Sequence, residues 1–360
     1  MFNSYIENLK TYEAGKPIEL VVREFGIEPK DIIKLASNEN PLGCSPKVSK
    51  AISQNASKAY LYPDDSYYEL KDALAKRFDV GIENIIIGAG SDQILEFISH
   101  VKLNPNSSIL TSNITFAMYE IYAKQFGATV LKTNSYEHKV KEFQDEISKN
   151  NPDIVYICTP NNPTGDATKK EDIFKIIDST PKSSLVVVDC AYMEYVEDKD
   201  YKVTPNDFLE YENVIYLGTF SKAYGLGGMR VGYGIANSNL INILYKVRPP
   251  FNITTLSLVA AIEALKDEDF VKQSIKLNKE EKQRYIDFAN EKNIEYINSW
   301  TNFITYKFDK SINSSQIANN LMKKGIIIRD LSSYGLNAIR ITIGQDWQNS
   351  RLLEELSKEV

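Results

Sequence analysis

Short runs of β-branched and aromatic residues recur along the middle of the chain, and stretches of helical period separate several of them. The runs are NIIIG (84–88), SSILT (107–111), TVLKT (129–133), DIVYICT (153–159), SLVVVD (184–189), NVIYLG (213–218) and VGYGI (231–235). Between them, segments such as DQILEFISHV and KKEDIFKIID carry apolar residues three and four positions apart. Consecutive apolar residues suit a strand buried on both faces, and such strands alternate with helices where a parallel sheet is covered on both sides. The pattern therefore predicts an α/β domain on a mostly parallel, seven-stranded sheet.

Past residue 250 the texture changes. A charged helical stretch, DEDFVKQSIKLNKEEKQRYIDFANEKN, leads to the strand-like INSWTNFITYKF, then a helix, then KGIIIRD and AIRITIG. This predicts a smaller α+β domain, and the N-terminal residues, which lie outside the alternation, are expected to pack with it. The expected division is a segment 1–45 of the small domain, a large domain 46–250 and a small C-terminal domain 251–360.

Composition narrows the partners. The chain is 43% hydrophobic and 25% charged with a net charge of −6. Nucleic acids and anionic membranes both require a basic surface, so neither is expected as a partner, while a local cationic pocket for a small anion is compatible with the charge. No run approaches the length of a membrane span, and MFNSYIENLKTYEAGKPIEL lacks the apolar core of a secretory signal. The three cysteines, Cys44, Cys158 and Cys190, are scattered and odd in number, as expected in the reducing cytoplasm. The two histidines, His100 and His138, have no metal-ligand spacing, so neither a histidine metal site nor a Ser-His-Asp triad is expected. With 8 arginines against 34 lysines, a retained arginine points to a need for its planar fork.

The polar residues fall at the ends of the expected strands, which is where open parallel sheets bind ligands. Run 84–87 ends in GAGSDQ, 153–158 in TPNNPTG, 184–188 in DCAY and 213–218 in TFSK. A strand, a glycine turn and a helix start make an anion site from backbone N–H groups, although Ser91 or Asp92 could equally be a plain cap. GLGGMR lacks the last glycine of a dinucleotide fingerprint and lies deep in the chain, which argues against a nicotinamide dehydrogenase. NNPTG is a turn by its chemistry, with Pro163 and Gly165 at the demanding positions. Asp189 closes an apolar run and needs a cationic partner, either a lysine or arginine or a protonated ring nitrogen. Lys222, in LGTFSKAYGLGGMRVGYG, is either a solvated loop lysine or an amine placed for a cofactor.

Taken in order, GAGSDQ, TFAMY, NNPTG, D-x-A-Y and T-x-S-K followed by Arg230 resemble the fold type I pyridoxal-5′-phosphate (PLP) aminotransferases. The spacing agrees: Asp189 stands 27 residues after Asn162, and Lys222 stands 33 after Asp189. The resemblance implies that Lys222 bonds covalently to PLP. It implies that Thr219, Ser221 and Arg230 cup the phosphate, together with the N–H groups of Ser91 and Asp92. Asp189 would pair with the pyridine nitrogen, Asn162 and Tyr192 would hold O3′, and Phe116 would stack on the ring. Tyr62, in LYPDD, would reach the cofactor phosphate of a neighbouring subunit, which implies a homodimer. The chemistry has a physical basis, because PLP withdraws electrons only while its ring nitrogen keeps a proton. Two unit charges about 4 Å apart at an effective dielectric near 20 interact by about 4 kcal/mol, roughly three pKa units. Once a substrate amine displaces it, Lys222 is free to carry the proton from Cα to C4′.

YEAGKPIEL, IIKLASNENPLG, RPPFN (248–252) and GIIIRD…YGLNAIRITIG narrow the resemblance to the histidinol-phosphate aminotransferase branch. It implies exchange between histidinol phosphate and 2-oxoglutarate, giving imidazole-acetol phosphate and glutamate, in histidine biosynthesis. Arg340 would take the glutamate α-carboxylate and the substrate phosphate in turn, with Arg329, Tyr12 and Asn40 as further substrate contacts. A bidentate fork suits both anions, and the alternative for the two arginines is a surface ion pair. Cys190 and Gln345 stand where relatives often have glutamate and threonine, which bears on amine-donor preference. The same cofactor would also serve an aromatic-amino-acid aminotransferase or a threonine-phosphate decarboxylase. A PLP-sensing DNA regulator would need a basic recognition helix ahead of the alternating pattern, and none is seen.

Overall fold

The computed structural model describes residues 4–7, 9, 11 and 17–360. All seven expected runs form strands of one sheet. Its order is Ile85–Gly88, Gly232–Ala236, Val214–Thr219, Leu185–Asp189, Ile154–Cys158, Ser108–Thr111 and Thr129–Lys132. Gly232–Ala236 is antiparallel to both its neighbours, and every other pairing is parallel.

Alternate side chains of these strands feed two separate cores, as a sheet buried on both faces requires. Ile85, Ile87, Val155, Ile157, Val186, Val188 and Val214 pack on one side with Leu74, Phe143 and Ile173 of the helices Tyr68–Phe78, Val140–Asn150 and Lys170–Ser179. Ile86, Ile154, Tyr156, Val187, Ile215 and Leu217 pack on the other with Leu95, Tyr119 and Ile241 of Ser91–Lys102, Met118–Gln125 and Ser238–Tyr245. The helix Thr255–Leu265 lies on Pro46–Asn55 and Tyr68–Phe78.

The long helix Glu268–Glu291 leads into an antiparallel sheet ordered Arg329–Asp330, Ala338–Thr342, Phe303–Lys307, Glu295–Ile297. Ile304, Tyr306, Ile339 and Ile341 form its core with Tyr285, Leu321 and Leu352. Ile33–Lys34 pairs in parallel with Ile326–Ile327, so residues from near the start of the chain join this second unit. Among the described residues, no helix is long and apolar enough to cross a membrane.

This arrangement places the loop at the carboxyl end of Ile154–Cys158 against the second sheet. Thr305 Oγ1 donates to Pro163 O at 2.7 Å, and Trp300 N–H donates to Gly165 O at 2.8 Å. Gly165 adopts φ 96°, and a Cβ there would stand 2.9 Å from Ser299 Oγ, so glycine is needed both for the turn and for the close approach.

Candidate active site

The segments after five strands and the segment after Ile33–Lys34 line one cavity of about 240 Å³. Its wall includes Ser91, Asp92, Phe116, Asn162, Asp189, Tyr192, Thr219, Ser221, Lys222 and Arg230, so most of the residues expected to hold the cofactor converge in space. They do so because they follow strands of one sheet at the same edge, except Arg230, which precedes the antiparallel strand Gly232–Ala236 and so reaches that edge too.

At one part of the wall the helix Ser91–Lys102 begins directly after the strand Ile85–Gly88 and the Gly90 turn at φ 78°. Its first N–H groups have no intrahelical acceptor, and the helix dipole adds partial positive charge. Gly232 on the adjacent strand is packed so closely that a Cβ would lie 2.1 Å from Ser91 N. The Arg230 guanidinium lies against Gly90, where a Cβ would meet Nη2 at 2.7 Å. Thr219 Oγ1 donates to Ser221 Oγ at 3.0 Å and accepts from Ser221 N–H at 3.1 Å. Backbone donors, hydroxyls and a guanidinium thus surround a space suited to a phosphate dianion.

Asp189 is buried and lacks a cationic partner among the described residues. Its Oδ2 accepts from the Tyr119 hydroxyl at 2.7 Å, and its Oδ1 accepts from Ala191 N–H at 3.2 Å. Burial pushes its pKa up to about 6, partly offset by the Tyr119 hydrogen bond. A carboxylate so placed favours a cation beside it, which removes the lysine or arginine salt-bridge alternative and fits a protonated pyridine nitrogen. Tyr119 was not anticipated, although it is the last letter of the quoted TFAMY motif. It lies over Tyr156 with ring centroids 4.3 Å apart, which fixes its hydroxyl toward Asp189.

Lys222 is not a solvated loop lysine. Burial, then the charges of Arg340 and Arg230, bring its pKa down to about 8, with Glu39 acting in the opposite sense. Its Nζ donates to Ser37 O at 3.5 Å and stands 5.7 Å from the Tyr192 ring centroid. The Tyr192 hydroxyl accepts from Asn38 Nδ2 at 2.8 Å, leaving its own proton available to an acceptor in the cavity. Asn38, a second residue that sequence reasoning missed, also ties the first sheet to the second by donating its N–H to Thr342 Oγ1 at 2.9 Å. It takes φ 55°, and asparagine in SNEN was the available signal for a left-handed turn.

Arg340 is buried and donates to Asn162 Oδ1 at 2.5 Å and to Ala36 O at 2.7 Å. It stands opposite Arg329 in the antiparallel pair, so two arginines share one sheet face, an arrangement that is unfavourable unless anions or other acceptors serve them. Arg329 lines a second cavity of about 520 Å³, which shares Phe116 with the first.

Three expectations fare differently. Asn40, expected at the substrate, does not line the cavity: Nδ2 donates to Ala223 O and Ser274 Oγ, and Oδ1 accepts from Leu42 N–H. Its amide is spent on holding the loop, while its neighbours Ser37 and Glu39 face the cavity. Tyr62 is away from its own chain's cavity, 82% exposed, with its ring tilted against that of Phe251 at 4.7 Å between centroids. Tyr12 lies outside the described residues. Cys190 is buried and Gln345 donates to Pro41 O at 2.7 Å; neither lines the cavity.

A buried amine of lowered pKa, a carboxylate awaiting a cation and an anion cup at the carboxyl edge of this sheet define a group-transfer enzyme built for a phosphorylated pyridine cofactor. Residues 30–356 match the family model Aminotransferase class I and II, and the chain belongs to that family. It is 64% identical over 350 residues to histidinol-phosphate aminotransferase of Sulfurovum sp. (strain NBC37-1), covering 97% of this chain and 96% of that one. It is 57% identical over 360 residues to the same enzyme of Sulfurimonas denitrificans (strain ATCC 33889 / DSM 1251), covering 99% of each. The fold superposes with a TM-score of 0.91 on the crystal structure of histidinol-phosphate aminotransferase from Sinorhizobium meliloti in complex with pyridoxal-5′-phosphate. That match has 26% identity and covers 100% of this chain and 98% of the other. The architecture is therefore fold type I, as the motif order implied.

Proposed function

We propose that this chain transfers an amino group between histidinol phosphate and 2-oxoglutarate, giving imidazole-acetol phosphate and glutamate, with PLP as its cofactor. The observation that carries the reading is Asp189, buried without a cationic partner among the described residues, on the wall that also holds Lys222. When bound, PLP supplies an electron sink for the charge left on the substrate Cα. Ser91, Asp92, Thr219, Ser221 and Arg230 would hold its phosphate, and Asp189 would keep its ring nitrogen protonated. Asn162 and Tyr192 would donate to O3′, and Phe116 would cover the ring. Lys222 would hold the cofactor through Nζ and, once free, would be the base that takes the proton from the substrate Cα. Arg340 takes the α-carboxylate of glutamate or the phosphate of histidinol phosphate, and Arg329, in the adjoining cavity, supports the phosphate. The reading places the enzyme in histidine biosynthesis in the cytoplasm, as a homodimer in which Tyr62 of each chain completes the other's phosphate cup.

Adding histidinol phosphate alone to the purified protein tests this. The visible band of the lysine-bound cofactor should vanish as the pyridoxamine form appears, with no release of CO₂. A band that responds only to glutamate or phenylalanine would move the substrate, and CO₂ release would move the reaction to decarboxylation.

A further inference from the structure

Arg248 in RPPFN is the most heavily bonded arginine outside the cavity, and nothing in the reaction above uses it. Its guanidinium grips Asp65 with both ends, Nη1 to Oδ1 at 2.9 Å and Nη2 to Oδ2 at 2.7 Å. Nη1 also donates to Asn252 Oδ1 at 2.9 Å and to the Tyr67 hydroxyl at 3.2 Å. The Arg248 side chain is 8% exposed. Two bulky residues in this knot adopt left-handed backbone, Tyr67 at φ 52° and Phe251 at φ 55°. Such conformations persist only where the surroundings over-determine them.

The knot has two ends. Outward, Asp65 Oδ1 accepts from Phe251 N–H at 2.6 Å, and the Phe251 ring carries Tyr62. Inward, Asn252 Nδ2 donates to Gln93 Oε1 at 2.7 Å and to Ile87 O at 3.3 Å. The same Gln93 oxygen accepts from Ala89 N–H at 2.8 Å, inside the glycine turn that opens the Ser91 helix. One continuous hydrogen-bonded path therefore runs from the exposed aromatic pair to the anion-binding turn.

We propose that Arg248 and Asn252 are positioning residues that lock the Tyr62 segment and the phosphate-binding turn in one register. The inference rests on the PLP reading and on Tyr62 serving a second copy of the chain. It makes the phosphate cup of each subunit and the tyrosine it lends to its partner parts of one rigid unit. Arg248→Lys keeps the charge and loses the fork; Asn252→Ala cuts the inward arm alone.

The test titrates cofactor-stripped protein with PLP and with pyridoxal, which lacks the phosphate, for wild type, both variants, Tyr62→Phe and the double variant with Arg248→Lys. The expected result is PLP affinity about tenfold weaker in each single variant, unchanged pyridoxal affinity, and a double variant no worse than its weaker parent. Equal loss for both ligands, or additivity in the double variant, overturns the proposal. If Tyr62→Phe alone is silent, the trans role of Tyr62 fails, and Asn252→Ala then decides: a PLP-specific loss upholds the clamp, and none overturns it. Should Arg248→Lys fail to fold, Asn252→Ala and Tyr62→Phe in combination apply the same additivity criterion.

Discussion

Asp189 and Lys222 are both held in the cavity at a cost, and the cost is what makes them reactive. With its pKa raised to about 6, Asp189 binds a proton more tightly folded than unfolded, so cofactor-free protein loses stability as pH rises from about 4 to 6. Cofactor binding runs the other way, because the ionised carboxylate attracts the ring nitrogen; PLP affinity should fall as pH drops below about 6. Asp189→Asn is expected to retain PLP and lose about three orders of magnitude in turnover, following the roughly 4 kcal/mol pair energy. Wild-type turnover in that variant would remove the role. Lys222 has its pKa lowered to about 8, so holding its charge at neutral pH costs up to about 3 kcal/mol, and stability rises as pH passes from 8 to its unfolded value. Lys222→Met should therefore melt higher than wild type when both lack cofactor, while showing no covalent cofactor band. A lower melting temperature would mean the lysine is a net stabiliser. Lysine and aspartate were legible from their places at strand ends. Tyr119 and Asn38 were not, because their partners, Asp189 and Tyr192, are distant in sequence and meet them only in the fold.

At the level of elements, the phosphate cup depends on how closely one strand approaches one helix start. Gly232 permits the contact with Ser91, and a methyl group there has nowhere to go, since both Ser91 N and Gly90 C lie within 2.4 Å of its position. Gly232→Ala should lower stability by about 1–3 kcal/mol and weaken PLP binding, with calorimetry and PLP titration as the measures. Unchanged affinity would show that the helix start does not bind the phosphate. Most of the seven strands were readable as apolar runs because they are buried on both faces, the edge strand Thr129–Lys132 being the exposed one. The strand Ala338–Thr342 puts Arg340 opposite Arg329 and beside Asn162, a pairing that depends on register and on contact between two sheets. Arg340→Lys keeps a charge and loses the fork, so apparent KM for both histidinol phosphate and glutamate should rise together; a rise for only one would end the shared role.

Across the whole molecule, the exposed aromatic pair Tyr62 and Phe251 is a surface that a lone chain leaves in water. Sedimentation should find a dimer, and a fully active monomer would refute the trans contact. What the sequence determined by itself was the layered α/β class and the main chemical groups, because burial on both sheet faces and turn chemistry at strand ends are local signals. The family resemblance put Arg230 at the cofactor phosphate and Phe116 on its ring, and both line the cavity that holds Lys222. Only the tertiary structure decided that Asp189 has no cationic partner among the described residues, that Asn40 serves a loop rather than the cavity, and that Arg248 joins a surface to a turn. Those depend on which side chains occupy the space around a group. That is a property of contacts between residues far apart along the chain, and no local pattern carries it.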